Sequence, residues 1–199
     1  MIYKNRRFFS NLSKKIGKSL GRLQISANQW TLLSLLLAAV TIYFLIKGNF
    51  LVATVVLALT ASIDMVDGAV ARATKTASKF GAYLDTMIDR VIEFMVIMGL
   101  LVVGYPDLII SINAWLFLLL FSCLMITYAK SAAFEKGLVR KEMKGGGLLE
   151  HPDRMLFFLI IVLISNFSLS YASLLIAAMT ILTITTAAQR FAIATRGKI

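Results

Sequence analysis

The chain has 199 residues, 59% of them hydrophobic and only 16% charged, and it carries a net charge of +11. Soluble domains hold roughly 45–50% apolar and about 25% charged residues, so a mean hydropathy of +0.82 excludes a soluble globular enzyme and a disordered tail protein. Long apolar runs, rather than alternating segments of about ten residues, also exclude a transmembrane β-barrel.

In chain order, residues 1–22 come first. Ile2, Phe8, Phe9, Leu12, Ile16 and Leu20 recur near helical spacing among lysines and arginines. This pattern predicts an amphipathic helix on an anionic membrane surface. It lacks the short apolar stretch and small-residue cleavage site of a signal peptide. Six helical spans are then predicted over Asn28–Ile46, Phe50–Thr74, Lys79–Val103, Leu108–Glu135, Pro152–Ser168 and Tyr171–Ala194; a span needs roughly 20 apolar residues. The expected fold class is all-α, a polytopic membrane protein with 23–199 as one six-helix catalytic domain behind the interfacial helix.

Charge sets the orientation. Nineteen Lys/Arg fall before the first span, at the turn after the second, around the 136–151 loop and at the C-terminus, against Lys47 on the other side. The positive-inside rule then places both termini in the cytoplasm, in a cell membrane. The basic excess is accounted for in this way, and no nucleic-acid partner is expected. Cys123, the only cysteine, lies in an apolar run and reads as a core residue.

The chemistry gathers in the second and third spans, which hold Asp64, Asp67, Asp85, Asp89 and Glu93. An ionisable group at membrane depth costs at least a few kcal/mol and needs compensation. Asp64 and Asp67 share a helix face, as do Gly81, Asp85 and Asp89. Asp64 and Asp89 each stand ten residues from the intervening turn, about 15 Å along an α-helix. Asp64 should therefore face Asp89, and Asp67 should face Asp85. Four converging carboxylates with only Arg72 and Arg90 nearby call for divalent metal. Oxygen ligands without cysteine or clustered histidine point to Mg²⁺ or Mn²⁺. Gly68, Ala71 and Gly81 leave room for close approach. Metal and arginine beside a groove suit phosphoryl chemistry. Arg90 and Glu93, three residues apart, read as a structural pair, and His151 as a loop residue. Gly145–Gly147 reads as a flexible loop.

The stretch from Asp64 to Asp89 has the form D-x2-D-G-x2-A-R-x8-G-x3-D-x3-D, with all eight fixed positions filled. It resembles the signature of the CDP-alcohol phosphotransferases. The resemblance implies transfer of a phosphoryl-alcohol group from a CDP-linked donor to an acceptor hydroxyl, with release of CMP. It implies two divalent ions held by Asp64, Asp67 and Asp85, with Asp89 near one of them and acting as general base. It further implies donor contacts at Gly68, Ala71, Arg72, Ser78 and Gly81, and at Asn28 and Thr31. The last two lie in a stretch similar to the family's P-N-x-x-T, with Ala27 in place of the proline. A homodimer is the family's usual assembly.

The end of span four and the Glu150–Arg154 stretch resemble the inositol-phosphate branch of the family, with His151 where that branch often has arginine. An acceptor phosphate is accordingly expected at Lys130, Arg154 and Arg190, and a CDP-lipid as donor. Transfer from CDP-inositol, or to glycerol phosphate or serine, stays open within the family. Outside it, an intramembrane cation transporter or a metal-stabilised scaffold would use the same aspartates.

Overall fold

The computed structural model describes residues 25–74, 76–139 and 147–196, without the side chains of Ala27, Met65, Asp67, Gly68, Arg72 and Ala73. The amphipathic helix expected over 1–22 falls outside these residues, as do residues 140–146 of the 136–151 loop. Within them the fold is all-helical, with no strand. Six helices follow one another: α1 Ala27–Ile46, α2 Phe50–Ala73, α3 Lys79–Val103, α4 Ile112–Glu135, α5 His151–Ser165 and α6 Leu169–Thr195.

Helix starts follow capping chemistry. The side chains of Ser26, Asn49, Ser78, Ser111 and Ser168 each accept a backbone N–H three residues on, opening α1, α2, α3, α4 and α6. Two expected boundaries are corrected by these caps. Helix α4 starts at Ile112 rather than Leu108, because Ser111 caps it and Asp107 Oδ1 accepts the Ile112 N–H at 2.7 Å. Helix α5 stops at Ser165 and α6 begins at Leu169, so the turn lies at Asn166–Ser168 rather than at Leu169–Ser170. Gly104 closes α3 with φ 74°, a left-handed conformation that side chains resist.

Among the described residues, four helices are long and apolar enough to cross a membrane: α1, α2, α4 and α6. Helix α3 is long enough, but it carries Asp85, Asp89, Arg90 and Glu93. Helix α5 has 15 residues, about 22 Å of rise. The outward faces are apolar, with Leu36, Leu51, Phe117, Phe121 and Leu174 exposed. The interior is apolar too, built on Ile92, Leu116 and Phe158, and it adds small hydroxyl residues, among them Ser34, Thr41, Thr60, Ser122, Thr180 and Thr183. Ser122 and Thr183 meet across α4 and α6 at 2.7 Å. Small hydroxyl residues hydrogen-bonded between helices, under an apolar outer surface, are the pattern of helices packed in lipid.

Packing then sets the site. Helix α1 lies along both α2 and α3, and α4 lies along α6. Helix α5 contacts α2, α3 and α6. Helices α2 and α3 make little direct contact along their lengths among the described residues, although only a short turn joins them. Helix α1 fills one side between them, and the N-terminus of α5 enters from the other. Asp64 on α2 and Asp89 on α3 come together beside that N-terminus.

Candidate metal and substrate site

Asp64 on α2, Asp89 on α3 and His151 at the start of α5 each offer one ligand atom, and the three atoms lie within 4.8 Å of one another. The meeting of Asp64 with Asp89 follows from their equal distance to the turn. His151 was not expected there. Its reading as a loop residue is corrected: it is the first residue of α5, and its side chain is only 15% exposed. Its Nε2 stands 3.6 Å from Asp64 Oδ2 and 3.6 Å from Asp89 Oδ1.

A buried ionic network lies behind this trio. Glu93 is 2% exposed and is approached by three side chains. Arg90 Nη1 donates to its Oε2 at 2.8 Å, as their i, i+3 spacing led us to expect. Arg154 Nε and Nη2 both reach Oε1 at 2.8 Å. His151 Nδ1 stands 2.8 Å from the same oxygen. Arg90 Nη2 also lies 3.0 Å from His151 Nδ1 and 3.5 Å from Asp89 Oδ2. The carboxylate Glu93 therefore ties α3 to α5 directly behind Asp89.

A second pair sits alongside. Arg190 on α6 donates through Nη2 to both Glu150 carboxylate oxygens at 2.9 Å and through Nη1 to Ile126 O at 2.9 Å. Its Nε is buried without a partner among the described residues. Thr186 Oγ1 accepts the Leu149 N–H at 3.2 Å, and a Cβ on Gly147 would run into Thr186 Cγ2. The end of the long loop is thus strapped onto α6, with Gly147 at the close approach.

The remaining expected residues fall as follows. Asp85 stands one turn from Asp89 toward Lys79, partly buried. Asp67, Gly68, Ala71 and Arg72 lie on α2, but the side chains of Asp67, Gly68 and Arg72 are outside the described set. Ser78, Gly81 and Asn28 converge: Ser78 Oγ accepts the Gly81 N–H at 2.9 Å, and a Cβ on Gly81 would meet Asn28 Oδ1 at 3.4 Å. Thr31 is buried one turn into α1, and its carbonyl accepts from Ser34 at 2.7 Å. Lys130 lies partly buried near the end of α4. Arg154 and Arg190 are both brought to the N-terminus of α5, each closed on a carboxylate.

Two acidic oxygens and an imidazole nitrogen at one point are a donor set suited to a divalent cation. Sequence reasoning missed His151 and Arg154 as neighbours of Glu93 because 58 and 61 residues separate them along the chain.

A family model for CDP-alcohol phosphatidyltransferase matches residues 24–189. The chain belongs to the CDP-alcohol phosphatidyltransferase family. It is a transferase. Among its relatives, an archaetidylinositol phosphate synthase of Pyrococcus horikoshii is 32% identical over 152 residues, covering 74% of either chain. One of Aeropyrum pernix is 29% identical over 181 residues, covering 91% of this chain and 89% of the relative. A phosphatidylinositol phosphate synthase of Corynebacterium glutamicum is 30% identical over 163 residues, covering 79% and 71%. Of solved structures, phosphatidylinositol phosphate synthase of Mycobacterium tuberculosis, in complex with manganese and citrate, superposes with a TM-score of 0.78 at 24% identity. That match covers 92% of this chain and 88% of the other, and the same enzyme is also solved with CDP-DAG bound. It establishes the shared fold.

Proposed function

We propose that this transferase moves the phosphoryl-alcohol group of a CDP-linked lipid onto a hydroxyl of inositol phosphate. The observation that carries the reading is the convergence of Asp64 and Asp89 beside a basic α5–α6 junction. The relatives support the acceptor, because archaeal and bacterial synthases alike are named for inositol phosphate. They differ in donor lipid, so both CDP-diacylglycerol and CDP-archaeol are candidates.

In the step itself, the acceptor hydroxyl oxygen bonds to the alcohol-side phosphorus of the donor. The phosphoanhydride bond to CMP breaks, and CMP leaves. The hydroxyl proton passes to the Asp89 carboxylate acting as general base. Asp64, Asp67, Asp85 and Asp89 would hold two ions, Mg²⁺ or Mn²⁺, which neutralise the diphosphate when bound. Asn28, Thr31, Gly68, Ala71, Arg72, Ser78 and Gly81 receive the nucleotide and diphosphate. Lys130, Arg154 and Arg190 form the basic side of the acceptor pocket. Arg190 is best placed there, since its Nε has no partner among the described residues and its Glu150 contact is one that an acceptor phosphate can displace. Arg154 acts mainly through Glu93. The chain crosses the cell membrane six times as a homodimer, with 1–22 on its surface and both termini cytoplasmic.

Purified protein with Mg²⁺ or Mn²⁺ and either CDP-lipid tests this. CMP should appear only when inositol 1-phosphate is added. Asp89→Asn should lower the rate by about 10²–10⁴-fold. CMP release with serine or glycerol phosphate alone would reassign the acceptor, and release with CDP-inositol alone would reassign the donor.

A further inference from the structure

We propose that His151 is a nitrogen ligand of the divalent metal at Asp64 and Asp89, aimed there by Glu93. The inference rests on metal working at these carboxylates, and it goes beyond the aspartate signature.

The orientation of the ring carries the argument. Glu93 has two guanidinium partners and can only accept hydrogen bonds. The 2.8 Å contact from His151 Nδ1 to Glu93 Oε1 therefore places a proton on Nδ1. Arg90 Nη2 approaches the same nitrogen at 3.0 Å, but that atom also has Asp89 Oδ2 at 3.5 Å as an acceptor. With Nδ1 turned to Glu93, Nε2 is the ring nitrogen that faces the two aspartates. The distances there agree. At 3.6 Å from each carboxylate oxygen, Nε2 is too far for an ordinary hydrogen bond to either. All three atoms nonetheless lie within 4.8 Å, the spacing of ligands around one ion.

Histidines that bind metal almost always donate their other ring N–H to a carboxylate or carbonyl, which fixes ring orientation and raises basicity. Glu93 fills that place. It is itself fixed by Arg154 from the same helix as His151, so the ring, its orienting carboxylate and the clamp on that carboxylate are tied together. An imidazole donor suits Mn²⁺ better than Mg²⁺, which favours oxygen and water. The site should accordingly prefer Mn²⁺ more than an all-oxygen site would.

His151 is the only histidine in the chain, so isotope labelling can read it in the unaltered protein. Full-length protein is purified through a histidine-free tag, loaded with Mn²⁺ and examined by pulsed electron paramagnetic resonance. Samples with natural-abundance and ¹⁵N-labelled histidine are compared. The expected result is a nitrogen coupling to Mn²⁺ that changes with the isotope. His151→Gln should abolish it and weaken Mn²⁺ binding about 10–100-fold, with a smaller loss for Mg²⁺. Spectra insensitive to the isotope overturn the proposal, as does a failure to bind Mn²⁺. CMP release is measured on the same samples. Turnover without the coupling overturns the ligand assignment and leaves the proposed function standing. Coupling without turnover does the reverse.

Discussion

Glu93 accepts from Arg90, Arg154 and His151 while only 2% exposed, and each contact depends on the others. Removing one member of a buried ion pair leaves the other uncompensated, at a cost of about 3–5 kcal/mol. Arg154→Met should therefore lower thermal stability strongly, and Glu93→Gln should do likewise. The double variant should lose clearly less than the sum, because each single strands the charge of its partner and the double removes both members of the pair. Melting curves of the four proteins in detergent decide this, and additive losses would show that the two side chains are not coupled. Part of the network was legible in advance: Arg90 and Glu93 are three residues apart on one helix. The rest was not, because nothing local in Glu150–Arg154 indicates which carboxylate will stand opposite. His151 in particular sits in a proline-containing stretch that reads equally well as loop.

At the scale of elements, α1 does more than begin the bundle. It packs against both α2 and α3 and so joins the two helices that carry the aspartates. Gly99 marks the close contact: a Cβ there would come within 2.7 Å of Leu45 Cδ1 and 3.4 Å of Ile42 Cγ1. Gly99→Val should destabilise by about 1–3 kcal/mol through overpacking. Mn²⁺ affinity of the folded fraction should be unchanged, since the site lies elsewhere on α3. A loss of affinity equal to that of an aspartate variant would show instead that α1 packing sets the ligand geometry. The antiparallel reading of α2 and α3 had the depth of Asp64 and Asp89 right, because rise per residue is the same in both helices. It could not foresee that α1 and α5 would separate them, because that depends on side-chain volumes along four helices.

Across the whole molecule, metal and folding should be linked. An ion that binds only the folded state stabilises it by about 2.7 kcal/mol at a hundred times its dissociation constant. Adding Mn²⁺ should raise the melting temperature of the wild type, and chelator should reverse the rise. Asp64→Asn with Asp89→Asn should show no shift; a shift that persists would place the binding elsewhere. Topology is testable on the same scale. In a Cys123→Ala background, Asn49→Cys and Thr76→Cys sit in the turns at opposite ends of α2. An impermeant thiol reagent should label them from opposite sides of sealed vesicles. Labelling of both from one side would overturn the span assigned to α2.

The all-helical class, five of the six helix starts to within two residues and the pairing in depth of Asp64 with Asp89 follow from local chemistry. Apolar runs, Ser and Asn caps, fixed helical rise and the Asp64–Asp89 spacing are all written within short stretches of chain. Their physics is short-ranged, so the sequence by itself determined them. Only the tertiary structure decided the rest: the gap between α2 and α3, the arrival of His151 beside two aspartates, and the closing of Arg154 and Arg190 on Glu93 and Glu150. Those depend on which helix faces pack together, and partners some 40–60 residues apart are brought within hydrogen-bond distance only when the whole bundle closes.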